Sequence, residues 1–183
     1  MNEEIEIKVI LKNPEELEQR LNDIAQFIKE KTQKDEYFVP AGNDFFAVNP
    51  TKEYLRIRHQ QGKSEMGYHY CHFNDSGELL KTDGYETVVE DPEMTAVILE
   101  KLGFTKKVTV TKQRKYYEYK DFEILIDYIE ELGYFLEIEA KKRHGNVEET
   151  IEQCYALLDE IGAKWEKTSK EGGYPDRILK KMQ

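Results

Sequence analysis

The stretch Glu4-Ile5-Glu6-Ile7-Lys8 alternates charged and aliphatic residues with the period of a strand. Glu4, Glu6 and Lys8 then share one face, with Ile5, Ile7 and Val9 on the other. Carboxylates two positions apart on a strand point the same way, about 7 Å apart. Phe135-Leu136-Glu137-Ile138-Glu139-Ala140-Lys141 repeats the pattern, with Glu137, Glu139 and Lys141 on one face. Alone, either stretch is also what a half-buried strand with a wet polar face looks like. Side by side, the two strands would gather four carboxylates, a donor set suited to a hard divalent cation.

Between these strands the chain alternates strand and helix signals. Asn13-Pro14-Glu15-Glu16 is a helix start, followed by Leu17, Leu21, Ile24 and Ile28 at helical spacing. Lys34 to Val39 reads as a short strand stopped by Pro40. Tyr54-Leu55-Arg56-Ile57-Arg58 is a strand with a basic face. Tyr68 to Phe73 and about Tyr85 to Val89 are further strands, and Asn74-Asp75-Ser76-Gly77 is a turn. Asp91-Pro92-Glu93 opens a second helix through Val97, Ile98 and Leu102, closed by Gly103. Val108 to Tyr119 and Phe122 to Ile129 are strands, the first carrying Lys112 and Arg114. Asn146 with Glu149 is a capping pair for a third helix with Ile151, Tyr155, Leu158 and Ile161 on its apolar face. The tail carries Lys164, Lys167, Lys170, Tyr174 and Arg177.

The chain has 183 residues and a formal net charge of −10, which argues against a nucleic-acid footprint. A polyanionic small molecule would need a local basic cluster or a metal, and screening beyond roughly 8 Å permits such a cluster. The cysteines, Cys71 and Cys154, have no metal-ligand spacing. The acidic start is unlike a signal peptide, and no apolar run is long enough to span a membrane. A cytoplasmic protein without membrane partners is expected, as a monomer or homodimer.

Consecutive strands joined by short turns favour an antiparallel sheet. Their aliphatic faces need cover, and three amphipathic helices can supply it. The charged faces can then close on one another, giving an α+β fold with a polar-lined barrel and helices outside. Such an interior would hold acids from the first and late strands and bases from Arg56, Arg58, Lys112 and Arg114. Arginine and lysine meet phosphate oxygens through charge-assisted hydrogen bonds, and carboxylates meet a metal bridging those oxygens.

The ordered set of motifs resembles the CYTH domain, or triphosphate tunnel metalloenzyme, family. Glu4-Ile5-Glu6-Ile7-Lys8 matches its ExExK signature. Lys34-Asp35-Glu36-Tyr37-Phe38 looks like x-D-x-Y-F, and Leu55-Arg56-Ile57-Arg58 like L-R-x-R. Lys112-Gln113-Arg114 with Tyr117 looks like K-x-R-x-x-Y. Asp127 followed by Leu132-Gly133-Tyr134-Phe135-Leu136-Glu137-Ile138-Glu139 looks like D-x(4)-L-G-x-F-x-E-x-E. Gly173-Tyr174 stands where the family often has Ser-Tyr. The resemblance covers nearly the whole chain and is strongest to the class IV adenylyl cyclase branch.

The resemblance implies one CYTH-like domain over residues 1–183, built as a closed, eight-stranded antiparallel barrel. It implies Glu4, Glu6, Glu137 and Glu139 as ligands of Mg²⁺ or Mn²⁺. Lys8, Arg56, Arg58, Lys112 and Arg114 would grip a triphosphate, with Lys8, Glu6 and Glu139 as the catalytic set. Asp127, His72, Lys81 and Glu86 are further candidates. The reaction implied is cyclisation of ATP to cyclic AMP and pyrophosphate. Hydrolysis of thiamine triphosphate or inorganic triphosphate is the alternative, and a low-activity nucleotide- or polyphosphate-binding module is a third reading. Two departures stand out. The family's lysine after L-R-x-R is absent from Tyr70-Cys71-His72-Phe73, leaving His72 as the nearest cation. Its R-x-E-x-E reads Thr82-Asp83-Gly84-Tyr85-Glu86, unless Lys81 and Asp83 shift into register.

Overall fold

A computed structural model describes residues 2–168 and 172–183; Lys170 of the basic tail lies outside the described residues. Its ten strands are β1 (Asn2–Glu4), β2 (Glu6–Leu11), β3 (Gln26–Pro40), β4 (Glu53–Gln60), β5 (Lys63–Phe73), β6 (Leu79–Val89), β7 (Phe104–Tyr119), β8 (Phe122–Ile129), β9 (Gly133–Ala140) and β10 (Trp165–Lys167). The helices are α1 (Pro14–Ile24), α2 (Pro92–Lys101), α3 (Val147–Glu160) and α4 (Tyr174–Lys181). All the strands pair antiparallel, in the order β1-β6-β5-β4-β3-β7-β8-β9-β2-β10.

The fold is α+β, but the expected closed eight-stranded barrel is corrected to a strongly curled, open sheet. The chain parts at Ile5: β1 pairs with β6, while β2 pairs with β9. The free edge of β2 is taken by β10 and not by β6. β6 itself bends at a register shift opposite His72 and Phe73, where Leu80 is the extra residue. A bulge kinks the strand that carries it, so the wall opens beside β10.

Period two decides which side chains face the trough. The outer face of β2, β8 and β9 presents Ile7, Val9, Ile124, Ile126, Leu136 and Ile138. These pack on Leu17 and Leu21 of α1 and on Cys154, Leu157 and Leu158 of α3. A smaller cluster joins Leu99 of α2 to Phe38 and Ile57. α4 differs from the others, because Tyr174 and Ile178 pack with Tyr37, Val110, Ile129 and Phe135 on the inner face. It plugs one end of the trough.

Several local expectations change. β3 begins at Gln26, because the polar run before Asp35 pairs with β7 despite exposed side chains that show no alternation. α1 therefore ends at Ile24, and Ile28 is a strand residue. α2 starts as read, with Asp91 accepting from the Met94 amide at 2.7 Å. Its Val97, Ile98 and Leu102 nevertheless face solvent, and Leu99 is the buried residue. The capping box of Asn146 and Glu149 on α3 is present in both directions. α4 escaped the sequence reading, although Pro175 in its first turn and Asp176, which accepts from the Gly173 amide at 2.8 Å, are start signals.

Leu158 and Leu102 both stood on expected apolar helix faces, but Leu158 is fully buried and Leu102 is 69% exposed. Leu158→Ala should cost about 2–5 kcal/mol in urea unfolding, and Leu102→Ala within about 0.5 kcal/mol of zero. Equal losses would contradict this placement of α2 and α3.

Candidate functional site

The inner faces line one cavity of about 750 Å³. β2 and β9 face each other in register, with Glu6 opposite Glu139 and Lys8 opposite Glu137. The Lys8 ammonium sits 2.9 Å from Glu137 Oε1. Arg114 on β7 is the register partner of Asp127 on β8 and grips it with two hydrogen bonds, 2.6 and 2.5 Å. Arg114 Nη2 also donates to Glu137 Oε2 at 2.5 Å. The Tyr174 hydroxyl from α4 lies 2.8 Å from Asp127 and 3.0 Å from Glu137. Both oxygens of Glu137 are therefore taken.

A second cluster lies across the trough. Arg58 on β4 grips Asp35 on β3 with two 2.7 Å hydrogen bonds. Arg56 donates to Glu86 on β6 at 3.0 Å and lies 3.8 Å from Asp35. His69 on β5 brings Nε2 within 3.2 Å of the same Glu86 oxygen. Lys112 stands between the clusters, 3.9 Å from both Asp35 and Asp127. That is too long for a hydrogen bond.

Charge states follow from these neighbours. Burial would raise Asp35 and Glu137, but Arg58 holds the first and Arg114 with Lys8 the second well below the usual range. The hydrogen bond from His69, with Arg56 beside it, lowers Glu86 to about 2. Burial lowers His69. Burial, with Arg114 nearby, takes Lys112 down to about 7. The remaining acids go the other way. Burial and then Glu6 raise Glu4 to about 7, and burial with Glu6 and Glu4 raises Glu139 to about 8. Burial and Glu137 raise Glu6.

The four expected metal ligands thus divide. Glu137 belongs to the cationic network. Glu4, Glu6 and Glu139 line the cavity and, among the described residues, form no ion pair with lysine, arginine or histidine. Nor are three metal-ligating side chains already gathered round one point among the described residues. The donor chemistry still fits Mg²⁺ or Mn²⁺: burial aside, Glu6 pushes up both Glu4 and Glu139, and a divalent cation among these carboxylates would relieve that.

Arg56, Arg58, Lys112, Arg114, Lys8, Asp127 and Glu86 all reach this interior. His72 and Lys81 do not. They project from the outer face of β5 and β6, where His72 lies 2.7 Å and Lys81 3.7 Å from Asp83. Alternation instead turns His69, Cys71, Thr82 and Glu86 inward. Asp35, His69 and Tyr174 had no assigned role in the sequence reading. Parity with Tyr37 and the basic face of β4 would have flagged Asp35; His69 differs from His72 only by strand parity.

In metal-free protein, Glu139 has a higher pKa folded than unfolded. Its ionisation therefore destabilises the fold as pH rises from about 4.3 to about 8, and the effect is constant above that. Lys112 acts oppositely above about pH 7, and Asp35 and Glu137 act only in acid, so the readout is a difference. In chelator, Glu139→Gln should become progressively more stable than wild type between about pH 5 and 8.5, and Mg²⁺ should narrow the gap. A pH-independent difference would place Glu139 in ordinary solvent.

The CYTH domain family matches residues 2–170. A protein of Methanocaldococcus jannaschii, provisionally named an adenylate cyclase, is 36% identical over 138 residues, covering 74% of this chain and 75% of that one. The PH1012 protein of Pyrococcus horikoshii superposes with a TM-score of 0.76 at 25% identity, over 96% of this chain and 98% of its own. A provisionally named adenylyl cyclase from Hippeastrum, described as having a dominant triphosphatase activity, superposes with a TM-score of 0.69 at 18% identity, over 98% and 96%. The last likeness concerns the fold alone. With its signature strands paired, its inner wall charged and nearly its whole length matched, this chain belongs to the CYTH domain family.

Proposed function

We propose that the protein is a divalent-metal-dependent enzyme acting on a triphosphate compound, with a chemistry like that of adenylate cyclases. The observation that carries this reading is the division of one cavity into a cationic wall and an acidic corner. Arg56, Arg58 and Lys112 face the interior from β4 and β7, while Glu4, Glu6 and Glu139 line the same cavity and, among the described residues, form no ion pair with lysine, arginine or histidine. The name of the Methanocaldococcus relative supports the cyclase form.

The chain's residues supply binding, orientation and charge. Arg58 and Arg56 offer planar donor forks already oriented by Asp35 and Glu86. Among the described residues Lys112 has no hydrogen-bonded counter-ion, so a phosphate oxygen would give it one. Mg²⁺ or Mn²⁺ held by Glu4, Glu6 and Glu139 would neutralise charge on the phosphate oxygens. In the cyclase reaction a ribose 3′-oxygen bonds to the α-phosphorus, the bond to pyrophosphate breaks, and the hydroxyl proton is lost. In hydrolysis a water oxygen bonds to the terminal phosphorus instead, the bond from that phosphorus to the bridging oxygen breaks, and phosphate leaves as the water gives up a proton. Both need in-line positioning and charge neutralisation. The activity described for the Hippeastrum protein keeps hydrolysis as the second reading.

Incubation with ATP, thiamine triphosphate or inorganic triphosphate, each with Mg²⁺ or Mn²⁺, separates the readings. Cyclic AMP with pyrophosphate marks the cyclase and free phosphate the hydrolase. Binding without product marks a binding module, and no binding sinks the triphosphate reading.

Two substitutions probe the cationic wall. Arg58→Ala should raise the Kd for triphosphate at fixed salt roughly tenfold or more, since hydrogen bonds to charged groups contribute about 1.5–3 kcal/mol. Arg58→Lys should recover only part, having lost the fork. Lys112→Met should weaken triphosphate binding most below about pH 7, where the ammonium is charged before the ligand arrives. Wild-type affinity in both Arg58 variants would remove Arg58 from the phosphate site.

A further inference from the structure

Helix α2 carries apolar residues on both of its sides. Leu99 is buried against Phe38 and Ile57, with Ala96 packed beside it, so this side faces the sheet. The opposite side presents Met94, Val97 and Ile98, and Leu102 at the C-cap follows Ile98 by one turn. These four are 53, 44, 53 and 69% exposed. Their spacing makes one continuous stripe about 12 Å long. The solvent side of a helix ordinarily carries polar residues, and single apolar residues there need no explanation. A stripe does.

We propose that this stripe is the contact face of a symmetric dimer, in which α2 packs antiparallel against α2 of a second copy about a two-fold axis near Val97 and Ile98. The inference does not depend on the triphosphate reading, since none of the residues lining the cavity belongs to α2.

Two observations choose a second copy as the occupant. The first is charge. Glu93 stands at the acidic end of the stripe and Lys101 at the other, both exposed and neither in an ion pair among the described residues. Glu93 and Lys101 are eight positions apart, and so are Met94 and Leu102. One two-fold axis therefore sets Glu93 beside the partner's Lys101 and Met94 beside the partner's Leu102, each to within about 1 Å along the helix. A parallel pair would set Glu93 on Glu93 and Lys101 on Lys101. Glu100 is turned to the flank away from Ile98 and Leu102, toward solvent that screens it. Rim charges of this kind fix orientation more than strength. The same acids, with Glu90 and Asp91 beside them and a net charge of −10, make the face a poor match for an anionic membrane.

The second observation is area. At these exposures the four side chains present roughly 400 Å² per copy, so two stripes face to face bury about 800 Å² before the flanking residues are counted. Those flanks bring the total toward about 1,200 Å², the low end of specific interfaces. The dimer is accordingly weak and reversible. Unfolding measured below its dissociation constant reads the monomer alone, so the small cost given above for Leu102→Ala stands.

The test is sedimentation equilibrium of the full chain from about 1 µM to about 1 mM, a range that spans weak dissociation constants. The average mass should rise from one chain toward two. Ile98→Glu should raise the dissociation constant at least tenfold, and Leu102→Ser severalfold, with thermal unfolding at low concentration reporting whether each variant is folded. Glu93→Lys should weaken the dimer severalfold, and adding Lys101→Glu should restore it, because both copies then carry the reversed pair. One chain at every concentration would overturn the inference, as would a dimer indifferent to Ile98→Glu and Leu102→Ser. A doubly reversed protein no tighter than Glu93→Lys alone would overturn the antiparallel arrangement. Monomeric wild type that co-sediments with phosphatidylserine–phosphatidylcholine vesicles, and loses this with Ile98→Glu, would give the stripe to lipid and overturn the dimer.

Discussion

Arg114 holds two carboxylates at once, and the inner wall is arranged around that grip. Its guanidinium joins Asp127 on β8 to Glu137 on β9, Lys8 on β2 closes on Glu137, and Tyr174 of α4 caps both acids. Four strands and the plugging helix meet in one buried network. Burying charge is expensive, and removing one member of such a network typically costs roughly 3–5 kcal/mol because its partner is left unmatched. Well-packed apolar residues could hold these strands together as firmly. Stability alone therefore does not require a charged network here.

The same network explains why four similar glutamates behave differently. Glu137 is surrounded by cations and stays ionised. Glu139, two positions along the same strand, meets Glu6 and Glu4 instead and is pushed toward neutrality. One strand thus supplies both an anion held by cations and an acid that, among the described residues, has no ion-pair partner. Opposite it, Asp35 and Glu86 hold Arg58 and Arg56 in fixed orientation. Donors preset in this way lose less freedom when an anion arrives. The fold tolerates a strained acidic corner because the packing of α1 and α3 on the outer face of the sheet is independent of it.

Curling without closure has its own consequence. A sealed ladder would have confined the interior to strand residues. Because β2 pairs with β10 and β6 bends away at Leu80, side chains from α3 reach the cavity.

The sequence by itself determined the charged-inside, aliphatic-outside character of the strands. Period two is a local property, legible in Glu4-Ile5-Glu6-Ile7-Lys8 and in Leu55-Arg56-Ile57-Arg58 without any knowledge of neighbours. It also determined the α3 cap, which needs only residues three apart. Tertiary structure decided what depends on partners. Whether His69 or His72 faces the cavity turns on a register that pairing alone sets. Which side of α2 is covered depended on where Leu99 found Phe38 and Ile57, leaving Val97, Ile98 and Leu102 in solvent. The division of the acids, with Glu137 neutralised and Glu139 not, came from the approach of Arg114, 23 residues before Glu137 in the chain. No spacing rule reaches that far, because a Coulomb interaction depends on distance in space and not along the chain.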